Sequence, residues 1–299
     1  MENVEKTIDV SSSSIEKAIK RQKVMSIVNK VIIYIFLVLV AVTVVFPFYY
    51  MIITSLKTDY EYNQVNPTLY IHYGFDWDNY AQAIKVGNFF KVLGNTLLVA
   101  FTSTLISMVI IILAAFAFAR LEFKGKNALF MTLLATMMVP GELFTITNYA
   151  TVSNLGWTNS ITVLIVPFLV SVFYIYLLRN TFKQIPDSLY YAAKVDGTSD
   201  LKYLIKVMIP MSSSTIISIV ILKIMGSWNA YIWPRLVNKS DMRLISNWLT
   251  NGFVDEVTNM VNYPMKMAGV VIVSIPLLIM FILFRKYIMR GVSRSGIKG

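Results

Sequence analysis

The chain has 299 residues, of which 56% are apolar and 14% charged, with a mean hydropathy of +0.62 and a formal net charge of +11. That balance excludes an ordinary soluble domain and leaves an integral membrane protein. There is no cysteine and a single histidine, His72, which has no acidic or histidine partner at ligand spacing, so disulfide frameworks, thiolate metal sites and metal catalysis are not expected.

Residues 1–30 are polar and basic, with four consecutive serines from Ser11 to Ser14. They read either as a short helix on the membrane surface or as a tail. A first apolar run, Val31 to Ile53, carries no charge and is long enough for a hydrocarbon core of about 30 Å. It lacks the short apolar core and small-residue cleavage site of a signal peptide, so it is expected to stay as an anchor. A mixed loop, Ser55 to Lys91, leads to a second run, Thr96 to Ala119, in which Ser103, Thr104 and Ser107 are small polar helix contacts.

After the basic connection Arg120, Lys124 and Lys126 comes a third run, Ala128 to Ala150, interrupted by Pro140 and Gly141. It contains Glu142, and a carboxylate there faces either a cavity or the outer interface. The fourth run is Ile161 to Leu178, with Pro167. The fifth is Val207 to Ile232, with Pro210 and Lys223, ending in Trp228, Asn229, Tyr231 and Trp233. These aromatics are either interface anchors or a stacking surface for sugar rings. The sixth runs from Ala268 to Phe284, with Pro276, before a basic tail.

A polar stretch, Ile185 to Asp200, lies between the fourth and fifth runs. Pro186 cannot continue a preceding helix, Asp187 or Ser188 can cap a new one, and Gly197 can close it in the left-handed conformation. A second helix is expected to start at Ser199 or Asp200 and run toward Pro210. Tyr190, Tyr191, Ala192 and Ala193 place bulky and small side chains side by side, so that one face can enter a groove.

Six spans put the N-terminal segment, the loops at 120–126 and 179–206 and the C-terminal tail on one side. Together they hold 19 Lys and Arg, against 7 in the alternate loops. Basic loops stay inside, so both termini and the 187–197 helix are expected to be cytoplasmic. The basic residues flank apolar runs, which argues for lipid rather than nucleic acid as their partner.

The residues also resemble a known family, the permease subunits of binding-protein-dependent type I ABC importers, and within it the carbohydrate group that includes the second permease of the maltose/maltodextrin importer. The family signature appears here as Tyr191-Ala192-Ala193, Asp196-Gly197 and Ile209-Pro210. Phe46-Pro47-Phe48-Tyr49, Thr54-Ser55-Leu56-Lys57, Asn95-Thr96-Leu97-Leu98, Ala119-Arg120, Met138-Val139-Pro140-Gly141, Trp228-Asn229, Trp233-Pro234 and the terminal Gly296 to Gly299 add to it. Two departures stand out: Tyr191 replaces the signature glutamate, and Ser214 replaces a second proline.

The resemblance implies an all-α membrane protein with the six-helix type I permease fold, located in the cell membrane. Its organisation would be an N-terminal segment (1–30), a first helix with its external loop (31–91), a core (92–290) with a coupling helix at 187–197, and a C-terminal tail (291–299). Leu189, Tyr191, Ala192, Ala193, Asp196 and Gly197 would then dock on an ATPase subunit, and Glu142, Trp228, Asn229 and Tyr231 would line a translocation path. The implied partners are a similar second permease, two cytoplasmic ATPase subunits and an external solute-binding protein that delivers a sugar. The chain has no Gly-x-x-x-x-Gly-Lys-Ser/Thr loop, so ATP and magnesium belong to the ATPase and no cofactor or enzymatic activity is expected here. The same subunit role for another solute, or a self-contained channel or ion-driven carrier, are the alternatives. The latter usually shows paired intramembrane ionisable groups or an inverted repeat, neither of which is evident.

Overall fold

The computed structural model describes residues 2–239, 242–250, 253–254 and 260–293, with side chains from residue 20 to 287 within that set. Residues 294–299, where the terminal Gly-Ile-Lys-Gly match falls, lie outside the described residues, as do 240–241, 251–252 and 255–259. The described backbone is helical, and among the described residues the only β pairing is an isolated bridge between Val254 and Val261.

Helix α1 (Glu2–Ser55) runs without a break through both the polar segment and the first apolar run. The boundary expected at residue 30 is therefore chemical, not conformational. The apolar stretch of α1 buries none of its residues inside the chain. The expected external loop contains α2 (Asp59–Tyr62) and α3 (Asp78–Lys85), and α4 (Phe89–Arg120) starts a full turn and more before the predicted span. Its 32 residues extend about 48 Å at 1.5 Å per residue, longer than the hydrocarbon core needs.

The loop is tied down by a buried ion pair. Lys57 and Glu61 approach at 3.9 Å with side chains 3% and 1% exposed. Lys57 Nζ donates to Thr68 O and Oγ1, while Glu61 accepts from the backbone N–H groups of His72 and Tyr73. Burial alone would raise the Glu61 carboxyl, but those two N–H donors, the Thr68 hydroxyl and the Lys57 charge together hold it below its ordinary value.

Three of the six expected spans are bent. The third is α5 (Lys126–Thr136) followed by a 3-10 turn (Gly141–Phe144) and α6 (Thr145–Asn154), with an angle of 82° between the arms. The break falls at Met137 to Pro140, where proline removes a backbone donor. The fourth is α7 (Thr162–Ile165) with a 3-10 extension through Phe168, then α8 (Val172–Lys183), bent by 45°. The expected fifth run from Val207 is corrected: residues 207–211 belong to an arm turned 81° from the spanning helix. That arm contains α10 (Asp200–Tyr203), a π-helical turn (Leu204–Met208) and α11 (Ile209–Met211). The polar connection contains α9 (Asp187–Val195). The spanning helix is α12 (Ser213–Trp228), followed by α13 (Ile232–Val237), α14 (Ile245–Trp248) and α15 (Tyr263–Ser293). Among the described residues three helices are long and apolar enough to cross a membrane, and up to six spans result if each bent pair counts as one.

Helix α4 is the central post, packed against α8, α12, α14 and α7, while α15 closes the bundle on α1, α3 and α12. One apolar core joins Ile111, Leu178, Phe182, Tyr203, Met208 and Ile219 at the α9 end of the molecule. At the other end a second core gathers Phe89, Trp228, Trp248, Phe253 and Met265. Gly269 permits this packing: a Cβ there would lie 2.9 Å from Phe253 Cζ.

Candidate functional site

Two places carry functional geometry, a protrusion built on α9 and a cavity between α4, α7, α8 and α12. The protrusion starts where α4 ends. Arg120, 7% exposed, donates from Nη1 to Asp187 Oδ1 at 2.6 Å and from Nη2 to the carbonyls of Phe182 and Ile185. A guanidinium is suited to this because it presents several donors in one plane and stays charged when buried. A second arginine supports it: Arg179 Nε donates to Phe118 O at 3.1 Å, and the guanidinium lies 3.8 Å from the centre of the Phe130 ring.

Helix α9 then runs to Val195. The expected cap is corrected: Pro186 occupies the cap position with an extended backbone, and Asp187, the first helical residue, points its carboxylate at Arg120 instead of at a free N–H. A carboxylate in the first turn still interacts favourably with the positive end of the helix. At the other end Gly197 takes φ +73°, and Gly197 N and Thr198 N donate to Lys194 O and Ala193 O. These bonds satisfy carbonyls that an abrupt end would leave bare. Ser199 accepts from Lys202 N and caps α10, as its sequence position predicts.

The two faces of α9 differ. Tyr190 turns inward, stacking edge-on with Tyr203 at 5.2 Å and donating its hydroxyl to Asp200 Oδ1 at 2.7 Å. The same oxygen pairs with Lys194 Nζ at 2.7 Å, so one carboxylate fastens α9 to α10 at two points. Ala193 is half-buried against the same core. Leu189, Tyr191 and Val195 are 41%, 65% and 88% exposed, with Ala192 exposed between them, while Asp196 and Gly197 are exposed at the helix end. Of the six residues expected to dock, five are solvent-facing and Ala193 is not. Sequence reasoning missed Arg120, Asp187, Tyr190 and Asp200 as the framework. The available signal was an arginine ending an apolar run and an aspartate directly after a helix-breaking proline.

The cavity has a volume of about 360 Å³ and is bounded by Ser103, Phe168, Ser171, Tyr174, Lys223, Ser227 and Trp233, among others. Trp233 is fixed by its Nε1 donating to Val163 O at 3.0 Å, with its ring edge-on to Phe168. The residues expected to line a path are dispersed. Glu142 is exposed in the 3-10 turn after the α5 bend, and Asn229 is exposed just past α12. Tyr231 is half-buried, its hydroxyl bonded by Arg235. Trp228 is 3% exposed in the second core, away from the cavity wall. Among the described residues no group of His, Cys, Asp and Glu has metal-site geometry.

Comparison with known proteins gives consistent matches. The profile of the family described as binding-protein-dependent transport system inner membrane component matches residues 107–294. The arabinooligosaccharides transport system permease protein of Bacillus subtilis is 27% identical over 91% of this chain and 97% of its own length. The trehalose/maltose transport system permease protein of Thermococcus litoralis is 28% identical over 91% and 98%. A solved bacterial ABC transporter involved in the import of the acidic polysaccharide alginate superposes with a TM-score of 0.76, at 22% identity over 89% of this chain and 96% of that one. That likeness establishes the fold.

Proposed function

We infer the role of this chain from its membership: it belongs to the family of binding-protein-dependent transport system inner membrane components, and it is a membrane-embedded permease subunit of an ABC importer. We propose that its cargo is a sugar or oligosaccharide, in keeping with the cargo named for the Bacillus and Thermococcus relatives. In this reading both termini and α9 face the cytoplasm, consistent with 19 basic residues on that side against 7 on the other.

The observation that carries the mechanism is the division of labour on α9. Its start is tied to Arg120 and its inner face is fastened through Tyr190 and Asp200, while Tyr191 and Val195, one turn apart on the outward face, are left uncovered. A short helix with an anchored back and an apolar front suits a groove on a separate ATPase. ATP and magnesium stay with the two ATPase subunits. When these close, each docked helix moves as a rigid body with the arm behind it, and the spans pass from inward-open to outward-open. The external binding protein then delivers sugar to a path formed with a second, similar permease. Tyr191, standing where the family signature has glutamate, makes this docking apolar rather than ionic.

The test is reconstitution of the chain with its second permease, ATPase subunits and binding protein in proteoliposomes. ATP-driven uptake of labelled oligosaccharide is expected. Uptake by the chain alone, without ATPase, would point instead to a self-contained carrier.

A further inference from the structure

Lys223 is the only Lys or Arg within the six apolar runs of the sequence. It sits in α12 ten residues after Ser213 and five before Trp228, about 15 Å and 7.5 Å from the two ends, and borders the cavity between α4, α7, α8 and α12. An ammonium has three donors. Among the described residues, Lys223 Nζ gives one hydrogen bond, 3.2 Å to Phe168 O at the break between α7 and α8, and makes no ion pair. The face of Tyr174 lies 6.0 Å away. The salt bridges among the described residues all involve other cations.

A cation at membrane depth without a counter-charge is costly, and such residues face a cavity or a ligand pathway. The rest of the wall is mostly apolar, with Val99, Leu164 and Leu244 among it, and is interspersed with the hydroxyls of Ser103, Ser171 and Ser227 and the rings of Tyr174 and Trp233. Hydroxyls and flat aromatic faces fit a sugar ring, and the volume falls within the range of small-ligand sites, roughly 300–1,000 Å³.

We propose that this cavity receives an anionic sugar unit, its carboxylate or phosphate completing the hydrogen bonding of Lys223. The proposal rests on the permease reading and narrows its substrate class: the charge of the transported sugar is read at this cavity.

The test is calorimetric titration of the complete importer assembly, purified in lipid nanodiscs without its binding protein. One arm uses a panel of di- and trisaccharides of uronic acids and their neutral methyl esters, and a second uses sugar phosphates and the parent sugars. Charge-assisted hydrogen bonding predicts that the anionic members bind roughly ten- to a hundredfold more tightly than their neutral counterparts. K223M should abolish that preference and K223R should retain it; retention in K223R shows that the assembly tolerates substitution at this position. The arm that shows the preference identifies the anion. Equal binding of charged and neutral forms throughout both panels, or a preference that survives in K223M, overturns the proposal. The permease reading fails on a different result, the absence of ATP-driven uptake of any sugar by the wild-type assembly with its binding protein.

Discussion

Arg120 and Asp187, 67 positions apart in sequence, meet at 2.6 Å, and the partnership is lopsided: the arginine side chain is 4% exposed and the aspartate 71%. The arginine therefore holds the ring of acceptors together. R120M would leave the Phe182 and Ile185 carbonyls without their donor, costing about 2–4 kcal/mol. D187N removes only a solvent-screened contact worth less than about 1 kcal/mol. Thermal unfolding of the assembled importer should separate the two, and R120M alone should lose its ATPase subunits on purification.

On the outward face of α9, Y191A and V195A should each weaken ATPase association about tenfold, the range of a buried aromatic or aliphatic anchor at an interface. Y190F should leave association nearly intact while releasing Asp200 from one of its two ties. Pull-down titration against the purified ATPase measures both effects. The opposite ranking would mean that α9 docks by its other side.

Gly197 holds φ +73° with open space where a Cβ would stand, so its cost on substitution is conformational rather than steric. G197V should destabilise the α9–α10 turn by about 1–2 kcal/mol. Amide exchange at residues 194–200 is expected to accelerate about tenfold, with the spans unchanged.

Glu61 predicts an acid sensitivity outside the membrane. Its carboxyl is held below the ordinary value in the folded loop. Its contribution is therefore complete above the ordinary glutamate value of about 4.3 and disappears as pH falls through the lower folded value. Proteolysis within residues 63–76 should rise only in that acid window. In E61Q the rise should no longer depend on pH, because the titrating group is gone.

Much of the α9 region was legible because its punctuation is local: Pro186, Gly197 and Ser199 each restrict the backbone through their own chemistry. The bends of 82° and 81° were not: Pro140-Gly141 and Pro210 with Ser212 to Ser214 mark interruptions in the sequence, but an interruption carries neither an angle nor a direction. Trp228 shows the same limit from the other side. An aromatic at the end of an apolar run signals an interface or a path, but the fold brings Trp248 and Phe253 over it and makes it core. Arg120 and Asp187 were visible only as single charges, because their pairing depends on the return of the chain at α8.

The uncovered apolar surface of α1 bears on how such a subunit can evolve. The family profile begins at residue 107, well after α1 ends, and the apolar stretch of α1 contributes no buried residue to the rest of the chain. Its contacts run mainly to α15, and no residue of its apolar stretch is enclosed, so substitutions on its uncovered side would leave the engine downstream intact. Selection on that helix is then exercised by whatever surrounds it in the bilayer, and it is the place to look for what distinguishes one importer's subunit from another's.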